Sequence, residues 1–455
     1  MGNKYLDKDG TQYLVSELLA KVDAKINEAM AYPNSVYGIE KDMAISPPEC
    51  TRIGNLSLHK TLPVHSQMKG CVLRDSGEIY SYLREDNWLY DTTSRDGSSG
   101  QVMVELPDMW MRFEQTGTKI RVLMSAEPVP GFTLWPKCYV SAYEASLDRT
   151  NLKLASVLNK TAQYRGGDNN ESWDGTYRSL LNRPVTRLSR TQFREYARKR
   201  KANSTEWNCM TYDVQKRLYW LFVVEYATLN SQAAYKAALT SEGYRQGGLG
   251  DGVTTLNDAE WDKFNSYYPF VPCGTTDSLG NKTGVVNYTI DNKNTSNPIK
   301  KTVAVPRYRG IENPFGHIWQ WMDGINIRIS PDVKDGGDGL SKVFVCSDPS
   351  KFNDENYEGY SYIGNEARTE GYVKNVIFGE MGEIVPNIVG GGSTIYFCDY
   401  HFTNIPTTVS LHGGLCSGNA THFPFAGLMF MSSYRAPSFV FRNLGSRLCF
   451  FPATA

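Results

Sequence analysis

Histidine and cysteine residues gather in the C-terminal part of the chain, and these residue types could ligate a metal or supply a nucleophile. His401, His412 and His422 lie near Cys398 and Cys416. A His-x3-Cys spacing, as from His412 to Cys416, brings both side chains to one face of a helix, where zinc could be held. This stretch has the pattern of strands and loops, where that spacing has no such meaning. The sequence therefore leaves the metal assignment unknown.

Acidic runs occur at PDVKDGGDG, with Asp332, Asp335 and Asp338, and at FNDENYEG. Neither has the bidentate glutamate that an EF-hand places at its twelfth position. We therefore expect ordinary turns there and no cofactor, with a structural calcium ion as the alternative.

Catalytic motifs are missing. The sequence has no GxGxxG, no P-loop and no GxSxG, and its nine cysteines include no CxxC pair. An odd number of scattered cysteines favours reduced, mostly buried thiols in a protein made in the cytosol. We therefore assign no catalytic residue.

Composition narrows the class of protein further. The 455 residues suggest about two or three domains. Lys plus Arg equals Asp plus Glu, at 48 each, so no overall field favours nucleic acid or anionic lipid. No apolar run approaches the ~18 residues of a membrane helix, and the polar start lacks the apolar region of a secretory signal.

Three segments are predicted to position these residues. Residues 1–45 contain an amphipathic helix over 10–31, which serves attachment or oligomerisation. It forms a short bundle with the same helix of other subunits, or it docks on its own domain. Residues 46–130 alternate apolar and polar residues between turns and form a small β-rich module. Residues 131–455 carry few helices and many short strands, so the fold class is α+β.

Two helices are predicted in the third segment. Ser189 to Gln192 is a capping box that opens a helix, and its basic run is expected to be a solvated face that complements the helix dipole. That run comprises Arg194, Arg198, Lys199, Arg200 and Lys201. Thr211 opens a helix that is apolar nearly all round, so it should be buried.

Several motifs in residues 131–455 resemble formylglycine-generating-enzyme-like (sulfatase-modifying-factor) domains. NPFGHIWQWMDG, residues 313–324, resembles their "GNVWEWVxD" signature, and NLGSRL, residues 443–448, resembles their closing "NxGFRL". YVSAYEA, residues 139–145, and RPVT, residues 183–186, resemble the start of the domain. The resemblance implies a C-type-lectin-like fold of short, twisted antiparallel strands.

The enzymes of that family use a cysteine pair just before the closing signature. AGLMFMSSYRAPSFVFRNLGSRL, which ends in that signature here, contains no cysteine. A thiol oxidase would therefore lack its reactive groups, and we expect no enzymatic activity.

Residues 409–450 resemble the variable region of target proteins of diversity-generating retroelements, which also have a C-type-lectin fold. The matching positions are Gly413-Gly414, Ser417-Gly418, Ala426-Gly427, Ala436-Pro437-Ser438 and Asn443 to Leu448, whereas Arg442 stands where that family usually has Trp. The resemblance implies a hypervariable ligand-binding surface made of Leu415, Ser417, His422, Phe423, Phe425, Ser433, Tyr434, Phe439, Phe441 and Arg442. It also implies a structural signature made of Gly316, Trp319, Trp321, Gly413, Gly414, Gly445 and Arg447.

The N-terminal part resembles tail-fibre and baseplate proteins of phages of gut Bacteroidetes, on the segments NKYLDKDGTQYLVSELLAKV, RIGNLSLHKTLPVHSQMKGCVL and DGSSGQVMVELPDMW. The resemblance implies a homotrimeric receptor-binding protein of the virion, whose partners are a bacterial surface protein or glycan and other tail or baseplate proteins. No nucleic acid and no membrane insertion are expected. The alternatives are a bacterial surface-displayed diversified adhesin, which the lack of a signal peptide disfavours, and a formylglycine-generating-type oxidase.

Overall fold

The structure is a computed structural model that describes residues 32–292 and 298–453, together with Val15 and Leu18. Apart from those two positions, the predicted helix over residues 10–31 lies outside the described residues, and with it the predicted trimer contact.

Strands outnumber helices, as the sequence predicts: 33% of the residues are in strands and 14% are helical. The α-helices of the described part are α1 (Leu58–Thr61), α2 (Arg190–Arg198), α3 (Tyr212–Tyr226) and α4 (Asp258–Asn265). The strands are β1 (Tyr37–Asp42), β2 (Thr51–Gly54), β3 (Lys69–Leu73), β4 (Ile79–Tyr82), β5 (Gln101–Leu106), β6 (Met109–Thr116), β7 (Lys119–Ser125), β8 (Thr133–Trp135), β9 (Cys138–Ser141), β10 (Ser146–Asp148), β11 (Lys153–Ala155), β12 (Trp207–Cys209), β13 (Gly284–Asp291), β14 (Lys300–Tyr308), β15 (Ile311–Glu312), β16 (Trp319–Ile329), β17 (Ser341–Val345), β18 (Ser361–Asn365), β19 (Gly371–Ile377), β20 (Val385–Val389), β21 (Tyr400–Phe402), β22 (Ser410–Ser417), β23 (Gly427–Ser432), β24 (Leu444–Gly445) and β25 (Leu448–Phe450).

The largest sheet has nine strands and is built around β16. Its order is β18-β17-β16-β22-β23-β21-β19-β20, and β24 pairs with β16 off this path. β16 and β22 are antiparallel, with Trp321 opposite Leu415 and Met322 opposite Gly414. The two segments that carry the resemblance, residues 313–324 and 409–450, are therefore neighbours in one sheet.

A second sheet joins the N-terminal and C-terminal parts of the chain. Its order is β12-β25-β9-β5-β3-β4, so β5 and β9 are hydrogen-bonded across the predicted boundary at residue 130. A five-stranded sheet, β2-β1-β7-β6-β8, likewise pairs β1, from before residue 45, with β7. Folding of residues 46–130 on their own stays a prediction.

Helix α3 is buried along its length, as its apolar sequence predicts. The Thr211 side chain accepts a hydrogen bond from the Val214 N–H at 3.2 Å and caps the helix. The Trp220 indole N–H donates to the Gly382 carbonyl at 2.7 Å, which satisfies a polar atom in the core. No helix in the described part of the chain is long and apolar enough to span a bilayer.

The basic run after Ser189 is not the solvated face that the sequence predicts. The capping box between Ser189 and Gln192 is present, but Arg194 is buried and pairs with Asp323 at 2.9 Å and with Asp354 at 3.0 Å. Arg200 is also buried, 2.6 Å from Asp75. These carboxylates come from distant parts of the chain, so the prediction was wrong for Arg194 and Arg200.

Candidate ligand-binding surface

The floor of the candidate site is formed by β16, β22 and β23, whose side chains are almost all buried. Gly413 permits this close packing, because a Cβ there would lie 2.7 Å from the Trp321 ring. Gly316, at φ +89°, occupies a backbone conformation that other residues rarely adopt, and its N–H donates to the Ser417 carbonyl at 3.0 Å. Gly413 and Gly316, both predicted as part of a structural signature, therefore make contacts that hold the floor together.

Arg447 links residues 443–448 to β9 and to the segment around β15 through hydrogen bonds. The guanidinium is buried and donates to the carbonyls of Ser141 at 3.1 Å and Asn313 at 2.6 Å, and also to that of Glu312. Gly445 lies close against the Ile318 side chain. The hydroxyl of the next residue, Ser446, donates to the Trp321 carbonyl at 2.9 Å. Residues 445–447 therefore hold neighbouring segments of the chain together.

Three of the ten residues predicted to contact ligand are buried, which corrects that part of the prediction. Leu415 is 1% exposed and faces the core beside Trp321. Ser417 is fully buried at the end of β22, and the Ser433 hydroxyl donates to Glu366 at 2.7 Å in the interior. All three lie in or next to the strands of the floor, where the sheet neighbours cover them.

The other seven lie at the surface, in the two connections that flank β23. They are His422, Phe423, Phe425, Tyr434, Phe439, Phe441 and Arg442, which are half-buried or exposed. With Trp319, Tyr400, Phe402 and Arg435, which they contact, we call them the aromatic surface.

Residues 418–426 build the first half of the aromatic surface. The Phe425 ring lies 4.4 Å from that of Tyr400, and the His422 ring lies 5.3 Å from that of Phe402. Phe423, which lies between His422 and Phe425 in the sequence, is 52% exposed. Burial lowers the pKa of His422 to about 4, so its ring is neutral near pH 7 and adds apolar area.

Residues 433–443 build the second half. The Phe439 and Phe441 rings are nearly parallel, with centroids 6.1 Å apart. The Arg435 guanidinium lies 4.3 Å from the Phe439 ring and 4.8 Å from the Tyr434 ring, both within the range of cation–π attraction. Phe441 also packs near Tyr267, at 6.2 Å.

Trp319 connects the two halves. Its ring lies 5.2 Å from that of His422, and its backbone N–H donates at 3.0 Å to the carbonyl of Asn443, the residue after Arg442. Trp319 and Phe439 also pack against the same buried cluster. Trp319 on β16 therefore contacts the first half through its ring and the second half through its backbone.

Sequence reasoning missed Tyr400, Phe402 and Arg435 as members of this surface. Tyr400 and Phe402 alternate with the buried His401 on β21, and that alternation is a signal for two rings on one face of a strand. Arg435 stands beside Tyr434, and such Arg–aromatic pairs are common in binding surfaces.

Two buried carboxyl groups lie under the surface. Burial raises the pKa of Asp399 to about 8, and this side chain accepts from the Met429 N–H at 2.7 Å and from Gln232 at 2.8 Å. Burial also raises the pKa of Glu366 to about 8. Glu366 has hydroxyl donors on one oxygen, whereas its other oxygen has no partner.

Metal ligation finds no support in the described residues, where no group of three or more His, Cys, Asp and Glu side chains could hold an ion. His401 bonds the Ala367 carbonyl and His412 bonds that of Ser433. In the acidic run, Asp332 pairs with Arg368 at 2.7 Å and Asp338 pairs with Arg328 at 2.9 Å.

The nine cysteines, all within the described residues, form no disulfide. Burial raises the pKa of Cys416 to about 12, so this thiol is protonated near neutral pH and is a poor nucleophile.

No model of a known protein family and no curated protein sequence matches the chain.

Proposed function

We propose that the chain is a receptor-binding protein of a phage tail, and that its aromatic surface docks on a molecule of the bacterial surface. The observation that carries this proposal is the aromatic surface itself, a group of half-exposed rings and arginines supplied by loops on a buried sheet. Exposed apolar patches reduce solubility, so they mark interaction sites.

The composition of the aromatic surface suits recognition. Aromatic rings and arginine give large contact area for few lost torsions, as in antibody paratopes. The Phe423 ring is 52% exposed, and Phe441 and Tyr434 are 39% and 37% exposed, so each has free area to bury against a partner. The Phe439 and Tyr267 rings lie beside Phe441, and the Arg435 guanidinium lies over Tyr434. These contacts hold the two side chains in place, which lowers the entropy they lose on binding.

The C-type-lectin-like fold and the retroelement-diversified variable region belong to the same proposal. Their support is the division of residues 409–450 between buried strands and exposed loops. In such a region, loop residues can change without changes to the floor. Tail genes, a reverse transcriptase and an AAC-rich near-copy repeat beside the gene would support it further.

The test is attachment of the purified full chain to a panel of gut Bacteroidetes cells, followed by flow cytometry. The triple variant Phe423→Ala, Tyr434→Ala, Phe441→Ala should lose attachment at least tenfold. A matched control is Tyr80→Ala with Tyr90→Ala, since these rings are 48% and 71% exposed on and beside β4, in a different sheet.

Equal loss in both variants would show nonspecific stickiness, and unchanged attachment of the triple variant would refute the aromatic surface as the docking site. Periodate treatment of the cells removes glycan receptors and protease treatment removes protein receptors, so the two arms identify the class of receptor.

The homotrimer is part of the proposal, with residues 1–31 as its expected contact. Light scattering of the full chain should give three subunits, and a variant lacking residues 1–31 should give one. A monomeric full chain would overturn this part of the proposal without affecting the aromatic surface.

A further inference from the structure

A second candidate site lies in an open cleft of about 950 Å³ that shares no lining residue with the aromatic surface. The turn 181–183, the segment 272–275 and strand β13 form its walls. Two hydrogen bonds fix the first two walls to each other: the Cys273 N–H donates to the Asn182 carbonyl at 3.0 Å, and the Asn182 amide donates to the Cys273 carbonyl at 2.9 Å. The cleft is therefore a preformed feature.

Arg183 lines this cleft without a partner for its charge. Its Nε is buried and makes no hydrogen bond, and its Nη1 donates only a long bond, 3.4 Å, to the Leu181 carbonyl. Within the described residues no carboxylate pairs with Arg183, and residues 293–297 contain no acidic residue. Burial lowers the pKa of Arg183, as expected of a cation removed from water without compensation.

Apart from Arg447, which donates to three backbone carbonyls, the buried arginines of the described residues have carboxylate partners. Arg194 pairs with Asp323 and Asp354, and Arg217 pairs with Asp213 at 2.9 Å. A desolvated guanidinium without an anion is unfavourable, so buried charges are normally paired. Arg183 departs from that pattern, and the cleft gives an external anion access to it.

The rest of the lining is cationic or neutral. Lys160 is exposed and makes no ion pair among the described residues. None of the lining residues is acidic. Asn287 and Tyr288, both from β13, also line the cleft, and their side chains make no hydrogen bond within the described part. Burial raises the pKa of the Cys273 thiol far above its usual value, so this thiol is protonated near neutral pH and is a poor nucleophile.

We propose that this cleft binds the phosphate or sulfate group of a small ligand, with Arg183 as the main contact and Lys160 as the second. The forked guanidinium matches the oxygens of such groups. Two cations in a lining without acidic side chains suit a group that carries up to two negative charges. The proposal stands on these contacts alone and does not depend on the receptor-binding function.

The test is isothermal titration of the full chain with inorganic sulfate, inorganic phosphate and acetate at constant ionic strength. Sulfate or phosphate should bind with one site per chain, and acetate should bind at least tenfold more weakly. Arg183→Gln should weaken binding at least tenfold and Lys160→Gln about threefold. Arg187→Gln is the matched control, because Arg187 is exposed and paired with Asp168 at 3.1 Å.

Arg183→Gln should fold with an unchanged or higher melting temperature in the absence of the anions, since it removes a half-buried charge that has no carboxylate partner. No binding of sulfate or phosphate, tighter binding of acetate, or equal affinity in Arg183→Gln and in the unaltered chain would each overturn the proposal. Should Arg183→Gln fail to fold, equal affinity of Lys160→Gln and the unaltered chain would overturn it, because Lys160 is exposed.

Discussion

Residues 410–443 contain two regions with opposite environments, although they alternate along one short stretch of sequence. Strands β22 and β23 are almost entirely buried, whereas the connections 418–426 and 433–443 carry exposed rings. Leu415 and Phe423 illustrate the difference, at 1% and 52% exposure. The comparison shows that apolar character alone does not distinguish a floor residue from a surface residue here.

The alternation has a functional consequence. Changes in the floor should alter stability, and changes in the connections should alter binding with little effect on stability. Three of the four predictions below test this separation, and the fourth tests Glu366, a buried carboxyl group that bonds to Ser433. They run from the largest expected effect on stability to the smallest.

Leu415→Ala should destabilise the protein by about 2–5 kcal/mol, because it leaves a cavity beside Trp321 in the core. Urea unfolding followed by tryptophan fluorescence measures the change. A loss below about 0.5 kcal/mol would place Leu415 with the surface residues and break the comparison.

Gly413→Ala should cost about 1–3 kcal/mol, since the added Cβ would overlap the Trp321 ring. A double-mutant cycle with Trp321→Phe provides the control, because the smaller ring removes the overlap. The two changes should therefore couple favourably. Additive effects would show that the glycine is needed for another reason.

Glu366→Gln should flatten the pH dependence of stability. The pKa of Glu366 is raised from 4.5 to about 8 in the fold, so the native state holds a proton that the unfolded chain releases. Stability is therefore lost as the pH rises from about 4.5 to about 8, by about 1.4 kcal/mol per pH unit for one group.

Urea unfolding at pH 5, 6, 7 and 8 measures this slope in both proteins. The slope in Glu366→Gln should be lower by about that amount, while Asp399, with a pKa also near 8, maintains a remaining dependence. Identical slopes would mean that Glu366 is ionised in the fold.

Phe423→Ala and Phe441→Ala should each change stability by less than about 0.5 kcal/mol, because exposed side chains contribute little to the core. Melting curves recorded beside the attachment assay separate the two properties. A loss above about 1 kcal/mol for either variant would assign that ring to the core, and the aromatic surface would shrink accordingly.

Short sequence patterns correctly predicted those helices and strands whose formation depends on residues close together in the chain. The capping box at Ser189 and the all-round apolar helix after Thr211 are present as predicted, because caps and amphipathicity are set within a few turns of chain. The abundance of short strands also follows from alternation and turn residues.

The sequence by itself therefore determined where two helices begin and that short strands outnumber helices. Only the tertiary structure decided which side chains are covered. Arg194 is buried because Asp323 and Asp354 approach it from more than a hundred residues away, and Leu415 is buried because β16 lies beside it. Packing between distant segments also leaves Arg183 without a carboxylate partner among the described residues. The physical cause is that burial and charge compensation depend on packing between distant segments, which no local pattern of residues specifies.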